Sequence, residues 1–210
     1  MQMKHVIFDF DGTIADTFPQ LLSIGQELTG HSVTPDEIER LRNMPIRAIM
    51  KEFKIPYYKV PAYLVQGRKL LTKRADEIEL VAGLEDVLRE LKQKGYNLQI
   101  VSSNSVPIIA HFLNRHKIEH YFDSVHGNVG LFSKAQSLKK IIRKNKYNID
   151  DCLYVGDELR DVEAAHKIKL KIIAVTWGFN GHKLLEQAKP QRLAINPKQL
   201  VKYIQELLPA

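Results

Sequence analysis

A chain of 210 residues with 44% hydrophobic and 26% charged side chains has an ordinary globular composition, sufficient for one large domain or for a core with a small insert. Charge interrupts every apolar stretch, so no segment supplies the roughly 20 apolar residues of a membrane span, and membrane insertion is not expected. The net charge of +7 suits anionic ligands in general, yet the basic residues are scattered. Their densest group, Lys139, Lys140, Arg143, Lys144 and Lys146, falls opposite Leu138, Ile141 and Ile142 at helical spacing, which is the pattern of a solvated helix face and makes nucleic acid an unexpected partner.

The first residues place acids directly behind a very short apolar run, with no signal-peptide core or cleavage site, so a cytoplasmic protein is expected. His5-Val6-Ile7-Phe8 reads as a buried strand entering the loop Asp9-Phe10-Asp11-Gly12. From 16 to 82 the pattern turns helical, in Phe18, Leu21 and Leu22 and again in Ile38 and Leu41, with breakers at Gly30, Pro35, Pro45, Pro56 and Pro61. After Gly83 strands and helices alternate: helix 84–94, strand 97–101, helix 107–115, a short strand at 122–125 and helix 135–144. Strand 153–155, helix 162–168, strand 171–175, a strand near Leu193 and helix 200–208 complete the pattern. The lone cysteine, Cys152, sits in an apolar run and is expected to be a buried, inert thiol. The fold class expected is α/β: a Rossmann-like parallel-sheet core formed by 1–15 and 83–210, with an all-helical insert, 16–82, after the first strand.

Parallel sheets bind ligands beyond the carboxyl ends of their strands, and those ends are where the polar residues gather. Side chains two apart on a strand share a face, so Asp9 and Asp11 can address one ligand, and Gly12 lets the main chain turn close to an anion. Other strand ends add Ser102 and Ser103, then Lys134 before a helix, then Gly156-Asp157-Glu158-Leu159-Arg160-Asp161. Taken singly these are commonplace: a turn, a capping serine, a surface lysine, a helix N-terminal acid. Taken together they supply what a carboxylate nucleophile needs to attack phosphorus, namely a divalent cation site, an amine and hydrogen-bond donors around the phosphoryl oxygens.

These residues resemble the haloacid-dehalogenase-like phosphatases over nearly the whole chain. Asp9-Phe10-Asp11-Gly12-Thr13 is similar to their first motif, Ser102 to the second, Lys134 to the third and Gly156-Asp157 with Asp161 to the fourth. The helical insert, and Tyr154-Val155-Gly156-Asp157 followed by Ala174-Val175-Thr176-Trp177-Gly178, resemble the phosphoglycolate-phosphatase-like branch, in which such an insert forms a cap. The resemblance implies an enzyme that hydrolyses a small phosphate monoester, phosphoglycolate-like or a sugar phosphate, through a covalent aspartyl-phosphate. Asp9 would be the nucleophile and Asp11 the general acid/base. Mg2+ would be held by Asp9, by the main-chain carbonyl of Asp11 and by Asp157, with Asp161 acting through water or by positioning Lys134. Phe10, Gly12, Thr13, Ser102, Ser103 and Lys134 would cradle the phosphate.

Three positions depart from the family pattern. Ala135 follows Lys134 where many relatives have proline. Lys167-Ile168-Lys169 stands where a small residue and glycine are common. In the insert, 42–47 replaces a glycine-containing substrate loop, which makes Arg42 and Arg47 candidate contacts for a substrate carboxylate or sugar. A sugar-phosphate mutase of the same fold is the alternative, and a phospho-aspartate regulator with slow turnover is the alternative from another class. The regulator would need neither the long insert nor the Asp-x-Asp-Gly-Thr order. A monomer is expected.

Overall fold

The structure, a computed structural model, describes residues 3–130 and 133–209. Along the chain, β1 (His5–Phe8) is followed by a two-residue strand, β2 (Ala15–Asp16), and then by four helices: α1 (Phe18–Thr29), α2 (Pro35–Arg42), α3 (Ile46–Glu52) and α4 (Val60–Lys73). Strand β3 (Glu79–Leu80) returns antiparallel to β2, so the outgoing and incoming chains are stitched together beneath the helices. The remainder runs α5 (Leu84–Gln93), β4 (Asn97–Val101), α6 (Val106–Arg115), β5 (Ser124–His126), α7 (Lys134–Lys144), β6 (Cys152–Gly156) and α8 (Leu159–Lys167). It closes with β7 (Lys171–Val175), α9 (His182–Gln187), β8 (Arg192–Ala194) and α10 (Lys198–Leu207).

The large sheet has the order β5-β4-β1-β6-β7-β8, and every pairing in it is parallel. Strand β1 is central and buries all four residues, because crossover helices cover both faces of a parallel sheet and leave no side for water. On one face Val6 and Phe8 pack with Leu98, Ile100, Leu88 and Ile204. On the other, Ile7 packs with Tyr154, Ile172, Leu138 and Val162. The register sets Phe8 beside Ile100 and Val155, so β1, β4 and β6 end level and the residues that follow them emerge at one edge. Strand order reverses between β1 and β6, the switch point at which such sheets open a ligand crevice.

The breakers in the helical segment bound its helices. Gly30 closes α1 in the left-handed region at φ 72°, and Pro35 and Pro61 sit in the first turns of α2 and α4, where a missing N–H is harmless. Thr34 and Glu37 form a reciprocal capping box on α2.

Four elements differ from expectation, among them β2 and β3, a short antiparallel ladder whose β3 lies inside the segment 16–82 expected to be all-helical. Helix α9 carries no readable periodicity in its six residues, and β5 lies two residues later than its apolar run, because its pairing with Gln99 to Val101 decides where the strand falls. Cys152 is fully buried in β6, and burial pushes its thiol up to about 12, far from a reactive thiolate. On α7, Leu138 and Ile142 are buried while Lys139, Lys140, Arg143 and Lys144 are exposed, a solvated face. Among the described residues no helix is long and apolar enough to cross a membrane.

Candidate active site

Beyond β1 the chain keeps one more sheet bond, Asp9 N–H to Val155 O at 2.8 Å, and then turns sharply. The carbonyl of Phe10 accepts from the N–H groups of Thr13, Ile14 and Ala15, and Gly12 N–H reaches Ala15 O at 2.8 Å. This turn needs Gly12, which has φ +73° and whose Cβ would lie 2.2 Å from Asp157 Oδ2. Gly178 is under the same restriction, its Cβ also falling 2.2 Å from that oxygen, so Asp157 is seated between two glycines. Thr13 Oγ1 donates to Asp157 Oδ1 at 2.8 Å, and Phe179 N–H donates to Oδ2 at 2.7 Å. The side chain of Phe10 turns into the core against Phe112, and its N–H donates to Asp9 Oδ1 at 2.8 Å.

Lys134, at the start of α7, is 4% exposed and donates to Asp9 Oδ2 at 2.5 Å and to Asp161 Oδ1. Asp161 also receives Glu158 N–H at 3.0 Å and Tyr154 Oη at 3.3 Å, which fixes it in the first turn of α8. Asp9, Asp157 and Asp161 are all buried, and each offers an oxygen within 4.8 Å of the others. Three carboxylates around one ammonium leave an excess of buried negative charge. Burial raises the Asp9 carboxyl, against the opposing pull of Lys134. Burial, with Glu158, Asp161 and Asp9 nearby, raises Asp157 well above the usual range. For Lys134 burial works against the charge, but Asp161 and Asp9 hold its ammonium well above its ordinary value. An all-oxygen donor set with surplus negative charge, buried at a strand edge, fits a hard divalent cation.

Residues 6–175 match the family model of the haloacid dehalogenase-like hydrolases. The chain belongs to that family. Over 210 residues this hydrolase is 30% identical to a phosphoglycolate phosphatase of Synechococcus elongatus, covering 98% of this chain and 99% of the relative. It is 26% identical to a pyrophosphatase of Bacillus cereus over 90% of this chain and 91% of that one. Among solved structures, a haloacid dehalogenase-like family hydrolase from Streptococcus pneumoniae superposes with a TM-score of 0.78 at 20% identity, covering 97% and 99% of the two chains, and so shares the fold.

Within the hydrolase's site, Asp11 stands apart from the carboxylate cluster. It keeps some access to solvent, but desolvation by the surrounding protein, with the charge of Asp9, raises its carboxyl to about 7, against an opposing hydrogen bond from Asn104. Ser102 is fully buried, and its Oγ accepts from Asn104 N–H at 2.9 Å. Ser103 is half-buried, and its carbonyl faces Arg68 of α4 at 3.4 Å. Of the two candidate substrate-contact arginines, Arg42 is committed to the core and Arg47 stands in solvent. Arg42 donates through Nη2 to the carbonyls of Thr176 and Gly178, each at 2.7 Å, and Arg47 is exposed on α3. Asp161 is a member of the carboxylate cluster itself while also holding Lys134.

Sequence reasoning passed over Asn104, Tyr154, Arg160 and Phe179. Asn104 had a usable signal, a polar residue two places beyond a strand-end serine. Arg160 pairs with Glu158 in the half-buried first turn of α8; burial opposes its charge, but Glu158, Asp161 and Asp9 raise its pKa further. Phe179 acts through a main-chain N–H, for which side-chain identity carries no signal.

Proposed function

We propose that this hydrolase is a Mg2+-dependent phosphatase of small phosphate monoesters, acting as a cytoplasmic monomer through an aspartyl-phosphate on Asp9. The observation that carries the reading is the division of labour among the acids. Asp9 is paired with a buried lysine, while Asp11, two residues on, sits apart from the cluster against Asn104, its carboxyl raised by burial and by the charge of Asp9.

Asp9 would attack phosphorus as the carboxylate, and the bond to the leaving oxygen would break as Asp11 hands that oxygen its proton. Asp11, now ionised, would take a proton from water as the water oxygen attacks phosphorus and releases Asp9. Lys134 and Ser102 Oγ–H, with the main-chain N–H of Ser103, would hold the phosphoryl oxygens, whereas the N–H groups of Phe10, Gly12 and Thr13 are already given to Asp9 Oδ1, Ala15 O and Phe10 O. Magnesium, held by Asp9, Asp157 and the Asp11 carbonyl with Asp161 adjacent, would supply positive charge to offset that of the phosphoryl group.

Residues 16–82 would act as a cap over the core of 1–15 and 83–210, excluding water and selecting the leaving group, with exposed Arg47 available to an anionic substrate. The relatives named above act on phosphoglycolate and pyrophosphate, both of which carry negative charge beyond the scissile bond. Arg42 fits substrate contact less well, since its guanidinium already serves two main-chain carbonyls.

The test is hydrolysis of p-nitrophenyl phosphate and then of a panel containing phosphoglycolate, pyrophosphate and sugar phosphates, with magnesium or with EDTA. Wild type should turn over only with magnesium, and Asp9→Asn and Asp11→Asn should each lose at least about a hundredfold in kcat, Asp11→Asn on p-nitrophenyl phosphate through slowed hydrolysis of the phosphoenzyme. Turnover that survives Asp9→Asn, or its absence across the panel, would reject the reading, and net isomerisation of a sugar phosphate would favour a mutase.

A further inference from the structure

Asn104 is 7% exposed in the loop between β4 and α6, and its Nδ2 lies 3.2 Å from Asp11 Oδ1 and 3.3 Å from Asp11 Oδ2. The orientation of the amide is determined by its other end: Oδ1 accepts from Ser105 N–H at 2.8 Å, so the NH2 group must face Asp11. The main chain beneath it is equally constrained. Asn104 N–H donates to Ser102 Oγ at 2.9 Å, and its carbonyl accepts from Asn128 N–H at 2.7 Å. Gly127 lets the neighbouring loop pack flush, since a Cβ there would come within 2.8 Å of that carbonyl. Among the described residues no other side chain hydrogen-bonds the Asp11 carboxylate.

We propose that Asn104 is the positioning residue of Asp11, straddling both carboxyl oxygens and so fixing the rotation of the group that serves the leaving oxygen. The inference rests on the acid role proposed for Asp11. A carboxyl free to rotate about its side-chain bonds spends little time aimed at the leaving oxygen, and misplacement by about 1 Å costs up to about a hundredfold in rate.

The deciding comparison is kcat/KM, which reports the step that forms the phosphoenzyme, for an alkyl phosphate against p-nitrophenyl phosphate on the magnesium-loaded enzyme. An alkoxide must be protonated as it leaves, whereas p-nitrophenolate departs without help. Asn104→Ala should lower the alkyl value by about 10- to 100-fold and the p-nitrophenyl value by no more than about threefold. Asn104→Asp keeps the acceptor for Ser105 N–H while removing the donors, so it should show the same split even if the alanine variant folds poorly. Equal losses on both substrates, or no loss, would overturn the positioning role. Asp11→Asn must show the same split more strongly; if it does not, the acid role of Asp11 is wrong and this inference falls with it.

Discussion

The central sheet and the helical segment between β2 and β3 are built on different terms. Strand β1 and strand β6 bury every residue, and α5 buries four. By contrast α1, α2 and α4 bury one each, Ile24, Leu41 and Leu71, and α3 buries none. The segment also carries exposed Ile46, Tyr57, Tyr58 and Val65.

Its junction with the core is part apolar, with Ile24, Leu71 and Ile78 in the same buried cluster as Phe10 and Leu88 and with Phe18 edge-on to Phe179, and part polar. Arg42 and Asn43, at the end of α2, grip the loop after β7 and the start of α9, through Thr176, Gly178, Gly181, Lys183 and Leu184. At the other exit, His111, Arg115 and His116 of the core bind Asp76 and the carbonyls of Asp76 and Ile78. Hydrogen bonds at a surface exchange for water at a net cost of about 1 kcal/mol each, whereas exposing a core leucine forfeits its whole burial. Because its helices bury so few side chains, the helical segment is the half that moves more cheaply and the core the more rigid one.

The largest effect expected from this difference is on stability. Leu88→Ala, in a fully buried position of α5, should cost about 2–5 kcal/mol in urea unfolding, and Leu71→Ala in α4 markedly less. Equal costs would remove the distinction.

The next effect is one of pH. The buried site of the core raises the carboxyls of Asp9, Asp11, Asp157 and Glu158, whereas Glu37 and Glu52 of the helical segment are held low by hydrogen bonds from Thr34 and Arg40. A raised acid binds its proton more tightly folded than unfolded, so its stabilisation is complete at low pH and is lost as pH rises through the folded value, about 7 for Asp11. The melting temperature of EDTA-treated protein should therefore rise as pH is lowered from about 8 to about 6, and magnesium should flatten the trend by favouring the ionised carboxylates. A flat profile in EDTA would mean that these acids are not strained by burial.

The smallest effect joins the two regions. Arg42→Ala removes two charge-assisted bonds to the loop whose Phe179 N–H holds Asp157. It should weaken magnesium affinity a few-fold, measured by calorimetry, with little change in unfolding of the core. Unchanged affinity would show that the helical segment and the metal-site loop are independent.

Much of the architecture was legible before any coordinates. Apolar runs ending in acids or hydroxyls announced β1, β4 and β6, and alternation with helices announced their parallel order. Asp9, Asp11, Lys134, Asp157 and Asp161 stood out because each follows a strand or opens a helix. Other features were not legible. Arg42 read as a substrate contact because it lies in the segment expected to face substrate, yet its partner Thr176 is 134 residues away. Asn104 and Asp11 meet across 93 residues, and neither flanking sequence hints at the other.

The sequence by itself determined the periodicities, the strand-end chemistry and, through them, the fold and the family. These are encoded locally, in which residues repeat at intervals of two or of three to four and in which residues interrupt the repeat. Only the tertiary structure decided which ends became neighbours and where each side chain was aimed. Parallel register brought Asp9, Ser102 and Asp157 to one edge, the seat between Gly12 and Gly178 oriented Asp157, and the loop after β4 turned Asn104 onto Asp11. Those outcomes depend on close packing between segments far apart in the chain, and close packing has no period to read.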